Sequence, residues 1–221
     1  NKKKINFFTD VSNFICYEMG QPTHCYDLDK IDGEIELKWI DNEDKFSTLH
    51  GKEINLKNKN LVFLVRDKII NLAGVMGGLE TSCSSQTKNV LIESAFFEPH
   101  AIIGKSIKYG IDSDAAFRFE RGIDILRQED ALRRFIYIVN DHLDIKNLEL
   151  YIEEKKSFKK KKINLDIQKI KKILGIDIPD ESCMNILMNL GFEIDGYVLS
   201  VPSYRHDINT HNDLAEEIAR V

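Results

Sequence analysis

Ten consecutive residues, EEKKSFKKKK from Glu153 to Lys162, carry eight charges around one serine and one phenylalanine. Charge runs of this density stay in water, so no single hydrophobic core extends through them. They divide the chain into a larger domain ending near residue 155, a linker over 156–160 and a smaller domain over 161–221. At 221 residues the chain is long enough for a core on each side. A phosphate-contacting strip is the functional alternative for the same lysines, since each one brought near a nucleic-acid phosphate displaces a counterion.

The apolar pattern on both sides mixes helix and strand periods, which makes the fold class α+β: a larger mixed α/β domain followed by a small α+β domain. Val11, Phe14, Ile15 and Met19 have helical spacing behind Thr9 and Asp10, and Gly20 stops that helix. A loop with Pro22 and His24 follows. EIELKWI reads as a strand, LHGKE as a hairpin turn, LVFLVRDKIINLAG as strand, turn, strand, and NVLIESAF as a strand. Residues 98–109 read as one helix ended by Gly110. A long amphipathic helix is expected from Ile125 to Leu143, with Leu126, Ala131, Leu132, Phe135, Ile136 and Val139 on its apolar side. Beyond the charge run, Ile167, Ile170, Ile173 and Leu174 mark a helix closed by Gly175. Ile186, Leu187 and Leu190 mark another closed by Gly191, and the strand YVLSVP precedes a final acidic helix.

Composition removes several function classes. Apolar residues make up 43% of the chain and charged residues 30%, the balance of an ordinary globular protein. The longest apolar run, Leu61 to Val65, is far too short to span a bilayer. NKKKINFF has the basic part of a signal peptide without its apolar core or cleavage site, so nothing points to export. Cys16, Cys25, Cys83 and Cys183 lie far apart with no C-x-x-C pair, which argues against a zinc knuckle and a disulfide scaffold and for reduced thiols in the cytosol. A net charge of −5 is no overall nucleic-acid signature, so an RNA contact would use local patches. Lysine outnumbers arginine 23 to 8, a bias that nucleotide composition also produces. The glycines of GVMGG lack the spacing and lysine of a nucleotide loop, so the chain should not bind ATP by itself.

Three places carry candidate chemistry. Asp207, Asp213, Glu216 and Glu217 lie within eleven positions, and the last three share a helix face at i, i+3, i+4. Like charges there repel, and a cation relieves them: Arg220, four residues after Glu216, or a divalent ion reached by Asp207 from the preceding loop. Oxygen ligands suit magnesium rather than zinc. An acidic first turn against the helix dipole, with Asp213 in a capping-box variant, explains the same residues without metal. Glu93 is one polar residue in an apolar strand, either an edge carboxylate facing solvent or a desolvated acceptor. His24 is either a structural loop histidine or a group that orients water, donates a hydrogen bond or moves a proton.

Four blocks in order, EMGQPTHCYDLDKI, NVLIESAFFEP, YGIDSDAAFRFERGID and VPSYRHDI with DLAEEIARV, resemble the beta subunit of bacterial phenylalanyl-tRNA synthetase. The resemblance covers nearly the whole chain and implies a piece of a longer subunit, carrying the editing domain usually called B3/B4 and then the B5 domain. It implies that the whole cytoplasmic enzyme, two alpha and two beta chains, uses ATP to charge tRNA(Phe), while this stretch hydrolyses mischarged Tyr-tRNA(Phe). Glu93 is then the acceptor for the tyrosine hydroxyl and His24 lies near the ester or the terminal ribose. Ser12, Asn13, Gly74, Ser113 and Ala115 form the pocket. Serine at positions 12 and 113, where the family usually has threonine, keeps the hydroxyl and loses a methyl. Asp207, Asp213, Glu216 and Glu217 become ligands of Mg2+ shared with the alpha subunit. Arg118 and Arg121 are read as structural, pairing with Glu120 and Asp124. The rival readings are a non-catalytic scaffold for tRNA and alpha subunit with a vestigial pocket, and a free-standing hydrolase.

Overall fold

The first helix, α1 (Phe7–Met19), starts where the Asn6 side chain accepts from the Thr9 amide and ends at Gly20, whose φ of 71° is left-handed. In the computed structural model, which describes residues 5–153 and 158–221, the segment after it is no loop. Thr23–Asp27 forms strand β1, paired antiparallel with a strand more than sixty residues away. The contacts divide the chain into two units, Asn1–Ile123 with Arg127–Leu150, and Asp124–Leu126 with Tyr151–Val221.

In the first unit, β2 (Ile35–Ile40), the hairpin β3 (Asp44–Ser47) and β4 (Glu53–Leu56), β5 (Asn60–Val65), β6 (Lys68–Leu72), β7 (Met76–Gly77) and β8 (Val90–Ser94) follow in order. A four-stranded sheet has the order β2-β5-β6-β7, and β1 pairs with β8. Arg66 and Asp67 turn β5 into β6 with positive φ at both positions, the backbone of a two-residue hairpin. Period-two alternation splits β1 and β8 into two faces. Cys25 and Ile92 join Phe8, Val11, Ile15, Ala131, Phe135 and Val139 in one core, while the opposite face carries His24, Tyr26, Leu91 and Glu93.

Residues 98–109 form two short helices, α2 (Pro99–Ile102) and α3 (Lys105–Tyr109), in place of the single helix expected. Ile103 is extended and Gly104 left-handed between them, a backbone no continuous helix passes through. After α4 (Asp114–Phe119) the long helix α5 runs Gln128–His142, starting later than its apolar spacing suggests and leaving Leu126 exposed.

In the second unit, β9 (Lys162–Asn164), α6 (Ile167–Leu174), α7 (Asp180–Asn189), β10 (Glu193–Asp195), β11 (Val198–Ser200) and α8 (His211–Ala219) follow in order. The sheet order is β10-β11-β9. Ile170, Cys183, Leu187, Leu199, Leu214 and Ile218 fill its core. Of the charge run, residues 154–157 lie outside the described residues, so the linker reading is described only over 158–160, which form no regular element. Among the described residues no helix is long and apolar enough to cross a membrane.

One ion-pair set organises the end of this unit. Arg205 Nη1 lies 2.8 Å from Glu217 Oε2, and its Nε and Nη2 hold both oxygens of Asp207 at 2.9 and 2.7 Å. Arg220 Nη2 reaches the same Glu217 oxygen at 2.9 Å. The Glu217 side chain is 4% exposed, so its charge is tolerated only because guanidinium groups meet it. Arg205 holds the carboxyls of both Asp207 and Glu217 below their usual range. Carboxyls lowered in the folded state contribute stability that is whole above their unfolded values and lost as pH falls through the folded ones. Arg205→Ala should therefore destabilise this unit by about 3 kcal/mol, the low end for breaking a buried pair because Arg220 remains. Urea unfolding from pH 7 to pH 3 should show the variant with a weaker loss of stability below about pH 4.5.

Candidate functional site

The β1–β8 register sets His24 directly opposite Glu93. Residues opposite each other in an antiparallel pair share a face, and Tyr26, two places along from His24, shares it too. The Tyr26 ring is 1% exposed and packs with Val65 and Ile70 of the neighbouring sheet. Its hydroxyl donates to Glu93 Oε2 at 2.6 Å. Asn71, on β6 and also buried, donates from Nδ2 to the Tyr26 oxygen at 2.7 Å, with Glu93 Oε2 at 3.4 Å. Three side chains from three strands thus form one connected polar set.

His24 stands edge-on to Tyr26, ring centroids 4.4 Å apart and planes at 80°. Gly77 of β7, paired with Asn71 in the sheet register, closes the other side. A Cβ at Gly77 would lie 2.2 Å from His24 Cε1 and 2.5 Å from Nε2, so only glycine leaves room for this ring. His24 Nε2 is buried without a hydrogen bond.

Burial sets the charges of the group. It pushes the His24 imidazole down to about 4, which keeps the ring neutral at pH 7. It pushes the Glu93 carboxyl up to about 7, against the opposing hydrogen bond from Tyr26. The Tyr26 phenol is raised well above its ordinary value, by burial first and the Glu93 charge second, and so remains a donor. A neutral ring, a donor phenol and a carboxylate near its midpoint are a set able to accept a hydroxyl and orient water.

The remaining candidates have the following contacts. Ser12 on α1 donates to the Thr23 carbonyl at 2.7 Å and lies 2.8 Å from the Thr23 hydroxyl, which ties α1 to the head of β1. Asn13, next along α1, is half-buried. Ser113 caps α4 by accepting from the Ala116 amide at 3.1 Å, and donates to the Val75 carbonyl just before β7 at 2.6 Å. Ala115 is half-buried against the core beside the four-stranded sheet. Gly74 is left-handed, with φ 68°, and a Cβ there would lie 2.8 Å from Phe97 and Ile102. Its missing side chain makes room for core side chains. The glycine that makes room beside His24 is Gly77. Tyr26, Asn71 and Gly77 are absent from the sequence-based candidates, although reading THCYD as a strand places Tyr26 on the His24 face.

Asp207, Asp213, Glu216 and Glu217 do not converge on a common point for an ion. Arg205 takes Asp207 and Glu217. Asp213 Oδ2 accepts from the Asn209 and Thr210 amides at 2.8 and 2.7 Å as the return arm of a capping box, and Glu216 is exposed. Arg220 relieves Glu217 at i, i+3, where spacing alone suggested Glu216. Among the described residues no three His, Cys, Asp or Glu side chains are grouped so as to hold a metal ion. Arg121 pairs with Glu120 at 2.8 Å and lies over the Phe117 ring at 3.6 Å, and Arg118 lies over Tyr17 at 5.2 Å.

The sequence matches the B3/4 domain family over residues 1–144 and the tRNA synthetase B5 domain family over residues 163–221. It is 36% identical to the phenylalanine–tRNA ligase beta subunit of Neisseria gonorrhoeae over 223 aligned residues, covering 99% of this chain and 28% of that protein. The corresponding subunit of Francisella tularensis is 35% identical, with 98% and 28% covered. The chain thus spans 28% of the length of these curated relatives. A crystallised N-terminal fragment of the phenylalanyl-tRNA synthetase beta subunit from Pyrococcus horikoshii superposes with a TM-score of 0.44 at 16% identity, covering 96% of this chain and 64% of the fragment. With a B3/4 domain over most of its length, the chain belongs to the B3/4 domain family, and a tRNA synthetase B5 domain follows.

Proposed function

We propose that this stretch is the proofreading part of a phenylalanine–tRNA ligase: it hydrolyses the ester of tyrosine wrongly joined to tRNA(Phe), in the cytoplasm. Its partners are tRNA(Phe) and an alpha subunit, in an assembly of two alpha and two beta chains that uses ATP and Mg2+ for charging.

The need follows from the amino acids. An apolar pocket rejects an isostere with one extra hydroxyl by only about 10²-fold, whereas a site that hydrogen-bonds the hydroxyl discriminates by about 10⁴–10⁵. The observation that carries the reading is the 2.6 Å contact between Glu93 and the Tyr26 phenol. It makes Glu93 a half-buried acceptor of a phenolic O–H, the chemistry required to tell tyrosine from phenylalanine. Ser12, Asn13, Gly74, Ser113 and Ala115 are the proposed walls. His24, as a neutral ring, positions the ester or the water that attacks it. Attack on the ester carbonyl releases free tyrosine and returns the terminal ribose hydroxyl to the tRNA.

In the assembled enzyme, Glu93→Ala should abolish hydrolysis of Tyr-tRNA(Phe) and leave phenylalanine charging intact, and Ala115→Trp should do the same by filling the pocket. Failure of the intact, charging-competent enzyme to release tyrosine would favour the scaffold reading. The carboxylate accepts the phenol's hydrogen bond best when ionised. The Glu93 carboxyl sits at about 7, so tyrosyl release should be full near pH 8.5 and fall about tenfold for each pH unit well below 7, as single-turnover deacylation measures.

A further inference from the structure

Glu93 has two oxygens, and they are treated differently. Oε2 accepts from Tyr26 at 2.6 Å, with Asn71 at 3.4 Å. Oε1 has no hydrogen bond among the described residues and is not sealed from solvent. The donor to Oε2 is itself fixed: the Tyr26 ring is held with Val65 and Ile70, and its oxygen receives the Asn71 amide at 2.7 Å. A phenol held by packing at the ring and by a hydrogen bond at the oxygen cannot rotate away from the carboxylate.

We propose that Tyr26, supported by Asn71, is a positioning residue for discrimination: it holds Oε2 so that Oε1 is the one acceptor presented to the hydroxyl of an incoming tyrosyl group. This rests on the proofreading reading and extends it to two residues outside the candidate set. The alternative geometry, with substrate displacing Tyr26 from Oε2, would break the bond to a phenol that has no other partner within reach than Asn71.

The chemistry of the contact gives it a signature that packing alone does not share. A hydrogen bond to an ionised carboxylate favours the ionised form. Removing it raises the pH at which Glu93 becomes an acceptor. The other groups around Glu93 leave that effect unmasked. His24 across the strand pair is neutral down to about pH 4. Cys25, on the opposite face of β1, is raised well above its ordinary value. The side of β8 that meets α5 is packed by Ala131 and Phe135, which do not titrate.

Tyr26→Phe keeps the ring and deletes the donor. In the assembled enzyme, the acid limb of tyrosyl release should move up by about one pH unit, with kcat/KM falling about tenfold at pH 6.5 and little at pH 9. Asn71→Ala should move it the same way by less, and it serves as the readout if Tyr26→Phe fails to charge phenylalanine. An acid limb superimposable on that of the parent enzyme, an equal loss at every pH, or faster tyrosyl release would each overturn the proposal. A 13C titration of the Glu93 carboxyl separates this inference from the reading beneath it. A raised midpoint in Tyr26→Phe supports the holding contact even if no tyrosine is released, and an unmoved midpoint overturns it even if proofreading is intact.

Discussion

A carboxylate drawn half out of water gains from protein donors, and the arrangement around Glu93 follows from that requirement. An unsatisfied buried polar group costs about 1–3 kcal/mol, and more if charged. Glu93 obtains its donors from Tyr26 on its partner strand and Asn71 on a different sheet. The hydrogen-bond set therefore joins the β1–β8 pair to the four-stranded sheet, whose hydrophobic contacts with Tyr26 run through Val65 and Ile70. Gly77 belongs to the same constraint. With the sheets held at this separation, His24 has space only where a neighbour lacks a Cβ.

Those parts of the fold whose signals are local could be read from the residues. Gly20, Gly110 and Gly175 end helices in the left-handed conformation, as their positions suggested, and the alternation of β5 and β6 around Arg66 and Asp67 is a hairpin in the structure as in the sequence. β1 was illegible for the opposite reason. It is five residues long, it follows a proline, and the strand it pairs with, β8, lies more than sixty positions on. Non-local pairing leaves no periodic trace in so short a segment. Reading that segment as a loop hid the fact that His24 and Tyr26 share a face, and with it the donor to Glu93. The glycines suffered similarly. Gly74 and Gly77 are equivalent in a string of letters, and only tertiary packing separates the one that admits core side chains from the one that admits a histidine.

The second unit makes the same point about charge. Spacing identifies Asp213, Glu216 and Glu217 as mutually repelling neighbours on one helix, yet it cannot say which cation answers them. The answer includes Arg205, which precedes α8 and reaches Glu217 from outside the helix. A fork-shaped guanidinium satisfies Asp207 and Glu217 together, and the cap engages Asp213. Three of the four oxygen-rich side chains are thus committed to protein donors, and their helical spacing remains as a pattern without a common centre.

Burial of the β1–β8 face has one further consequence for a site of the proposed kind. Desolvation acts in opposite directions on its two titrating groups, neutralising His24 and lifting Glu93 to the edge of ionisation near pH 7. A pocket that must prefer the ligand with the extra hydroxyl needs an acceptor that is badly solvated when the ligand is absent, because the discrimination is the difference between a filled and an unfilled acceptor. Such an acceptor threatens the empty protein with the same free energy. The Tyr26 phenol resolves the conflict by satisfying one oxygen permanently, so that the empty pocket keeps a stable carboxylate while the second oxygen is left without a protein donor. On this view the internal tyrosine and the tyrosyl ligand are not competitors. One makes the charge tolerable, and the other is recognised by what remains of its unmet hydrogen bonding.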